Sequence, residues 1–340
     1  MPVPDLTVQL GSLSLKSPVI CGAGEHVADE PALRAAVDAG AAAVVAKSAN
    51  ESEDGRRQWD VREQALLERG RHVVERESAL DVSIFNRSGL VPLPWDEWLA
   101  ILARADAYAR DHGSYVVASL IPADPKTLPG LAADVESAGL RWLELNLSAP
   151  HAGESRPGSV RRADTPEGAA ALTAAVREAV SIPLTVKLSG DGVDVVALAA
   201  AARDAGADHV AMTGRHMAFV PDLDTRRPLL GTFGAIGGDW ALPLTMRWLA
   251  KTRLALDSNL PLVGTGGARD GGDVARLMLA GASAVQVATS VIVEGFGALG
   301  RITDELHAYL ADQDLDARDL VGQAADAATT YEEIALRSSS

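Results

Sequence analysis

The chain has 340 residues, 47% of them hydrophobic and 4% aromatic, and a formal net charge of −15. That charge argues against a nucleic-acid face, because no basic stripe exists along which counterions could be released. Cys21 is the single cysteine, so a disulfide framework, an iron–sulfur cluster and a thiolate zinc site are excluded within one chain.

No run of 18 apolar residues occurs, and residues 1–17 carry no signal pattern. With no linker or break in composition either, the expectation is one cytoplasmic domain over 1–340, with no metal and no membrane contact.

In chain order, residues 6–15 read as a hairpin split at Gly11. Short apolar runs follow at 18–21, 42–46, 115–120, 142–145, 184–186, 209–212, 261–263 and 284–287. Ala- and Leu-rich helical segments lie between them, at 30–39, 131–138, 166–180, 193–205 and 272–280. Residues 48–112 are too long for one loop and one helix. They predict an excursion over the barrel mouth, then a helix from about Trp95 to about Arg110 behind Pro92 and Pro94. Eight buried strands alternating with helices predict an α/β fold, a closed parallel (β/α)8 barrel. A doubly wound sheet would want G-x-G-x-x-G after the first strand, and Gly22-Ala23-Gly24-Glu25 does not supply it.

The loops after strands seven and eight, Gly264-Thr265-Gly266-Gly267 and Ala288-Thr289-Ser290, suit a phosphate, since bare backbone lets N–H groups approach it. Lys47 and Lys187 each end a buried strand, which is costly unless an anionic or electron-rich partner meets them; either alone also suits a snorkelling rim residue, and both together favour a cofactor. Asn146 and Asn86 offer amides to a ring bearing donors and acceptors, although either also suits a plain turn. Arg87, Arg156, Arg161, Arg162 and Arg215 fall on predicted top-face loops; any one of them suits solvated loop charge, and five together lean towards an anionic substrate or partner. Cys21 reads as a buried packing residue.

Together these residues resemble the dihydroorotate dehydrogenase family, whose relatives include the flavin domain of dihydropyrimidine dehydrogenase. The likeness runs from about Leu6 to about Leu310. It is carried by Leu15-Lys16-Ser17-Pro18-Val19, Gly22-Ala23-Gly24, Lys47-Ser48, Asn86 with Gly89-Leu90, and Glu144-Leu145-Asn146-Leu147-Ser148. Val186-Lys187-Leu188, Gly237-Gly238, Gly264-Thr265-Gly266-Gly267 and Gly281-Ala282-Ser283-Ala284-Val285-Gln286 complete it.

The resemblance implies an oxidoreductase with FMN across the barrel top. Gly22, Ala23 and Gly24 would lie along the ring, with Lys47, Ser48, Asn146 and Lys187 at its polar edge. Gly238, Gly266, Gly267, Ala288 and Thr289 would hold the phosphate, and Thr213, Gly237 and Gly264 belong to the same cofactor set. Lys47, Asn86, Arg87, Asn146 and Arg215 would meet the substrate. It also implies a homo-oligomer, a dimer, with an unidentified electron acceptor. Without a membrane-binding extension at the N-terminus, the chain looks like the soluble class.

Three departures stand out. Where the family has a proton-accepting Cys or Ser, this chain has Ala149. His151 stands where dihydroorotate enzymes have Asn, and becomes the candidate acid or base; it also fits a purely structural role. Thr213-Gly214-Arg215 replaces an Asn-Thr or Asn-Ser pair. The expected function is hydride transfer between FMN and a small, anionic, cyclic substrate other than dihydroorotate. A flavin-binding protein or complex subunit without turnover, and a flavin-assisted isomerase, are the alternatives.

Overall fold

A computed structural model describes residues 3–73, 81–149, 163–191, 194–256, 260–330 and 333–334. The chain opens with an antiparallel hairpin, β1 (Val8–Leu10) and β2 (Leu13–Leu15), whose Val8, Leu10, Leu13 and Leu15 are buried and alternate with exposed residues. This is the period-two pattern of a strand with one wet face. Gly11 turns it at φ +56, and a Cβ there would sit 2.7 Å from His209 Nε2. The hairpin therefore packs onto the start of a barrel strand.

The remaining strands are β3 (Val19–Cys21), β4 (Ala43–Val45), β5 (Glu63–Glu68), β6 (Arg71–Val73), β7 (Val82–Arg87), β8 (Tyr115–Leu120) and β9 (Leu143–Asn146). They continue as β10 (Leu184–Ser189), β11 (His209–Thr213), β12 (His216–Ala218), β13 (Gly234–Gly238), β14 (Leu262–Thr265) and β15 (Ala282–Val287). Eight of them, β3, β4, β8, β9, β10, β11, β14 and β15, close into a parallel barrel. These are the eight apolar runs expected from the sequence, and the fold is the expected (β/α)8 barrel.

Helices follow the strands with side-chain caps where the sequence offers them. Asp29 accepts from Ala32 N, Thr165 from Gly168 N, Asp194 from Ala197 N and Asp270 from Asp273 N. Each cap satisfies an orphan donor of the first turn. The small Ala faces of these helices let them lie close on the barrel, with Ala36, Ala132, Ala169, Ala199 and Ala202 fully buried.

The excursion after β4 does sit over the mouth, but it is more ordered than a loop. β5, β6 and β7 join β12 and β13 in a five-stranded antiparallel sheet of order β12-β13-β7-β5-β6. Two distant insertions thus share one cap, with Ala235 of β13 paired to Asn86 of β7.

Candidate active site

The strand ends and the cap enclose a cavity of ≈1230 Å³, counting its open mouth. Of the residues expected to hold a cofactor, Gly22, Ala23, Gly24, Lys47, Ser48, Asn146, Lys187, Gly237, Gly238, Gly266, Gly267, Ala288 and Thr289 all line it. Thr213 and Gly264 do not. The Thr213 hydroxyl lies 3.4 Å from that of Thr245, and a Cβ on Gly264 would face Leu249, Ala282 and Leu277. Both point away from the cavity, because successive residues of a strand face opposite ways.

Among the expected substrate contacts, Lys47, Asn86, Asn146 and Arg215 line the cavity and Arg87 does not. Period two decides this as well. Ile84 and Asn86 face in, while Phe85 and Arg87 face the other side of the cap sheet. There Arg87 donates to Val61 O at 2.7 Å, to Leu230 O and to Glu63 at 3.2 Å. It ties the cap together. His151, Arg156, Arg161 and Arg162 lie outside the described residues.

At the phosphate end the wall is bare backbone. Gly266 (φ +122) and Gly267 (φ +96) occupy the left-handed region, and a Cβ on Gly267 would sit 2.4 Å from Leu242 N. Only glycine suits that turn.

The polar wall forms two hydrogen-bonded groups. In the first, Lys47 Nζ donates to Ser88 Oγ at 2.9 Å and to Glu25 Oε1 at 3.2 Å, and Ser88 Oγ donates to Glu25 Oε1 at 2.6 Å. Burial would raise the Glu25 carboxyl, but Lys47, Arg215 and the Ser88 hydroxyl outweigh it and hold Glu25 far below the usual carboxylate range. Burial lowers Lys47, and Glu25 opposes that. The Arg215 guanidinium donates to Asn86 Oδ1 from the facing insertion.

In the second group, Lys187 Nζ donates to Gln286 Oε1 at 2.8 Å, and Gln286 Nε2 donates to Glu144 Oε2 at 2.8 Å. Ser119 Oγ donates to Glu144 Oε1 at 3.2 Å and lies 2.9 Å from Ser48 Oγ, which accepts from Asn146 Nδ2 at 3.3 Å. Asn146 Oδ1 in turn accepts from Ser148 Oγ at 2.7 Å.

Ala149 is buried with Leu90 and Ile121, so an apolar wall stands beside the polar ones. Cys21 is fully buried, and burial pushes its thiol well up, as suits a packing residue. Its neighbour His26, 3.7 Å away, is pushed down to about 4 by burial and stays neutral at pH 7.

Sequence reasoning missed Glu25, Ser88, Glu144 and Gln286. Glu144 carried a signal, since a carboxylate inside the apolar run 142–145 must be compensated. Glu25 and Ser88 lie in loops, where a polar residue looks ordinary.

Comparison with known proteins agrees with this geometry. A family model described as dihydroorotate dehydrogenase matches residues 83–310. The catalytic subunit of dihydroorotate dehydrogenase B (NAD(+)) from Geobacter sulfurreducens is 36% identical over 182 residues, covering 53% of this chain and 58% of the relative. The corresponding subunit from Methanocella arvoryzae is 28% identical over 321 residues, 94% of this chain and 97% of that one. The subunit from Pyrococcus furiosus is also 28% identical over 321 residues, 94% and 98% of the two chains. No helix among the described residues is long and apolar enough to cross a membrane. The chain belongs to the dihydroorotate dehydrogenase family, a family of FMN-dependent oxidoreductases.

Proposed function

We propose that residues 1–340 act as one FMN-binding barrel that oxidises or reduces a small, anionic, cyclic molecule other than dihydroorotate. The carrying observation is a contrast within one cavity. The glycine and lysine walls are those the family likeness requires, while the position of the family's proton acceptor is Ala149, a methyl group packed on Leu90 and Ile121. Alanine can neither accept nor return a proton.

The residues present fit FMN. Gly22, Ala23 and Gly24 give a flat approach, and Lys47, Ser48, Asn146 and Lys187 supply polar partners. The amides of Gly266 and Gly267, without a hydrogen-bond partner among the described residues, suit the phosphate together with Gly238, Ala288 and Thr289. Bound FMN supplies the centre that takes up or gives back a hydride.

The protein does the rest. Lys187 brings positive charge to the cavity, and Arg215, which hydrogen-bonds the neutral Asn86 and shares the Glu25 carboxylate with Lys47, adds a second cation placed to meet an anionic group. Leu90, Ile121 and Ala149 exclude water on one side. Ser88 Oγ, bonded to the Glu25 carboxylate, is a described position where a proton can be held in place of residue 149. His151 remains the other candidate. The relatives are named as catalytic subunits of NAD(+) enzymes, which supports a second protein as the electron acceptor.

The test is to denature the purified yellow protein and identify the flavin, expecting about one FMN per chain. Cyclic imides, pyrimidines and carboxylated heterocycles are then screened by flavin spectral shift. Carboxylated ligands should shift the spectrum and their esters should not. Release of FAD, or equal response to acids and esters, would contradict the reading.

A further inference from the structure

Glu144 is fully buried inside the barrel, between Leu143 and Leu145 on its strand, and the function proposed above does not use it. A carboxylate in such a place is strongly destabilising unless its charge and lone pairs are met. Its partners are Gln286 Nε2, Ser119 Oγ and, at 4.0 Å, the Lys187 ammonium. Gln286 lines the cavity and reaches Glu144 from β15, which lies four places round the eight-strand barrel from β9, so the contact spans the lumen.

The amide of Gln286 can be oriented in only one way here. An ammonium donates and never accepts, and a carboxylate accepts and never donates. Gln286 must therefore turn Oε1 to Lys187 and Nε2 to Glu144. The same logic propagates to the other side. Ser119 gives its proton to Glu144, so Ser48 must donate to Ser119, and Ser48 Oγ is then an acceptor for Asn146 Nδ2. Asn146 Oδ1 is left facing Ser148. Every direction follows from one buried negative charge.

We propose that Glu144 is a positioning residue: it holds Lys187 as a cation and fixes the hydrogen-bond polarity of the wall formed by Lys187, Ser48 and Asn146. The charged groups acting on Lys187 are Glu144 on β9, which favours its ammonium form, and Arg215 beyond β11, which opposes it; β15 contributes the neutral Gln286. Burial also opposes the ammonium form, so Glu144 is the stabilising influence. The consequence for a ligand is a wall that presents donors. Lys187 and the second N–H of Asn146 are offered to acceptor atoms, which suits carbonyl edges.

This inference rests on the FMN reading only for its second readout. In the first, ε-13C-lysine NMR follows the Lys187 titration in the protein without added FMN, with the signal assigned by its loss in Lys187→Arg. Glu144→Gln should lower the Lys187 protonation constant about tenfold or more, the usual effect of removing an opposite charge at this range. An unchanged titration overturns the inference whether or not FMN binds. If Glu144→Gln does not fold, Glu144→Asp keeps the charge but draws it back by one methylene, and a smaller lowering in the same direction is expected; no lowering again overturns it.

In the second readout, the flavin potential of the FMN-loaded protein is measured from pH 6 to 10. The Glu144→Gln curve should bend below that of the wild type as Lys187 gives up its proton, and parallel curves contradict the proposal. A protein that never binds FMN defeats the cofactor reading and leaves the lysine titration to decide this one.

Discussion

Ser88 donates its hydroxyl to Glu25 Oε1 across 2.6 Å, and Lys47 donates to both. This triangle joins the loop after β3, the end of β4 and the cap. Because the Glu25 carboxyl is held below its unfolded value, its stabilisation is fully present above the usual carboxylate range and is lost as pH falls towards the folded value. Glu25→Gln should destabilise the protein by about 1–3 kcal/mol at pH 7, less than for a fully buried pair because Glu25 is partly open to the cavity. Urea unfolding of both proteins should give a constant difference from pH 6 to 8 that shrinks below about pH 4. A difference that grows in acid would contradict the assignment.

Arg215 and Arg87 should behave in opposite ways towards ligand. Arg215→Ala should abolish the spectral response to carboxylated ligands, and it should also lower stability, because it removes a hydrogen bond to Asn86 and a cation acting on Glu25. Arg87→Ala should leave that response intact and lower stability by about 1–2 kcal/mol, since it removes hydrogen bonds that join three parts of the cap. Titration and urea unfolding of the two variants check both halves. Loss of ligand response in Arg87→Ala would restore it to the substrate site.

Lys187→Ala should weaken FMN binding by roughly 10- to 100-fold, the scale of a lost charge-assisted hydrogen bond, and lower the flavin potential. Lys47→Ala should do so less, because Glu25 lies 3.2 Å from Lys47 and neutralises it more closely than Glu144, at 4.0 Å, does Lys187. Redox titration with the potential of Lys47→Ala lowered and that of Lys187→Ala unchanged would exchange the two roles.

Much of this was legible in the sequence, and the rest was hidden for physical reasons. The barrel strands announced themselves because strands buried on both faces are continuous apolar runs. The cap sheet did not. β13 reads Gly-Ala-Ile-Gly-Gly, a poor strand by composition, and it becomes one by pairing with β7, far away in sequence. The glycines and lysines of the wall were found because their residue types are unusual at strand ends. Arg87 was misplaced although its own strand held the answer, since Asn86 and Arg87 are adjacent and cannot both face the cavity. Glu144 carried a signal as a carboxylate in an apolar run, but its partner Gln286 became meaningful only when the closed barrel brought the two together.

Restoring a base at position 149 tests the substrate wall separately. Ala149→Cys should not by itself confer dihydroorotate oxidation, because the strand-six end still reads Thr213-Gly214-Arg215: the amide that the family likeness expects is missing at Gly214, and a guanidinium stands nearby. General-base assistance is worth on the order of 10²–10⁴ in rate. A gain of that size in Ala149→Cys, measured by steady-state turnover, would show that only the proton acceptor had been lost.

A preserved cofactor site beside a rebuilt substrate site is put to the test by anaerobic mixing of the yellow protein with dihydroorotate. Flavin absorbance is followed in a single turnover, so no electron acceptor is needed. Dihydroorotate should leave the flavin oxidised, while dithionite should bleach the same sample fully. Rapid bleaching by dihydroorotate in the unmodified protein would contradict a rebuilt substrate site.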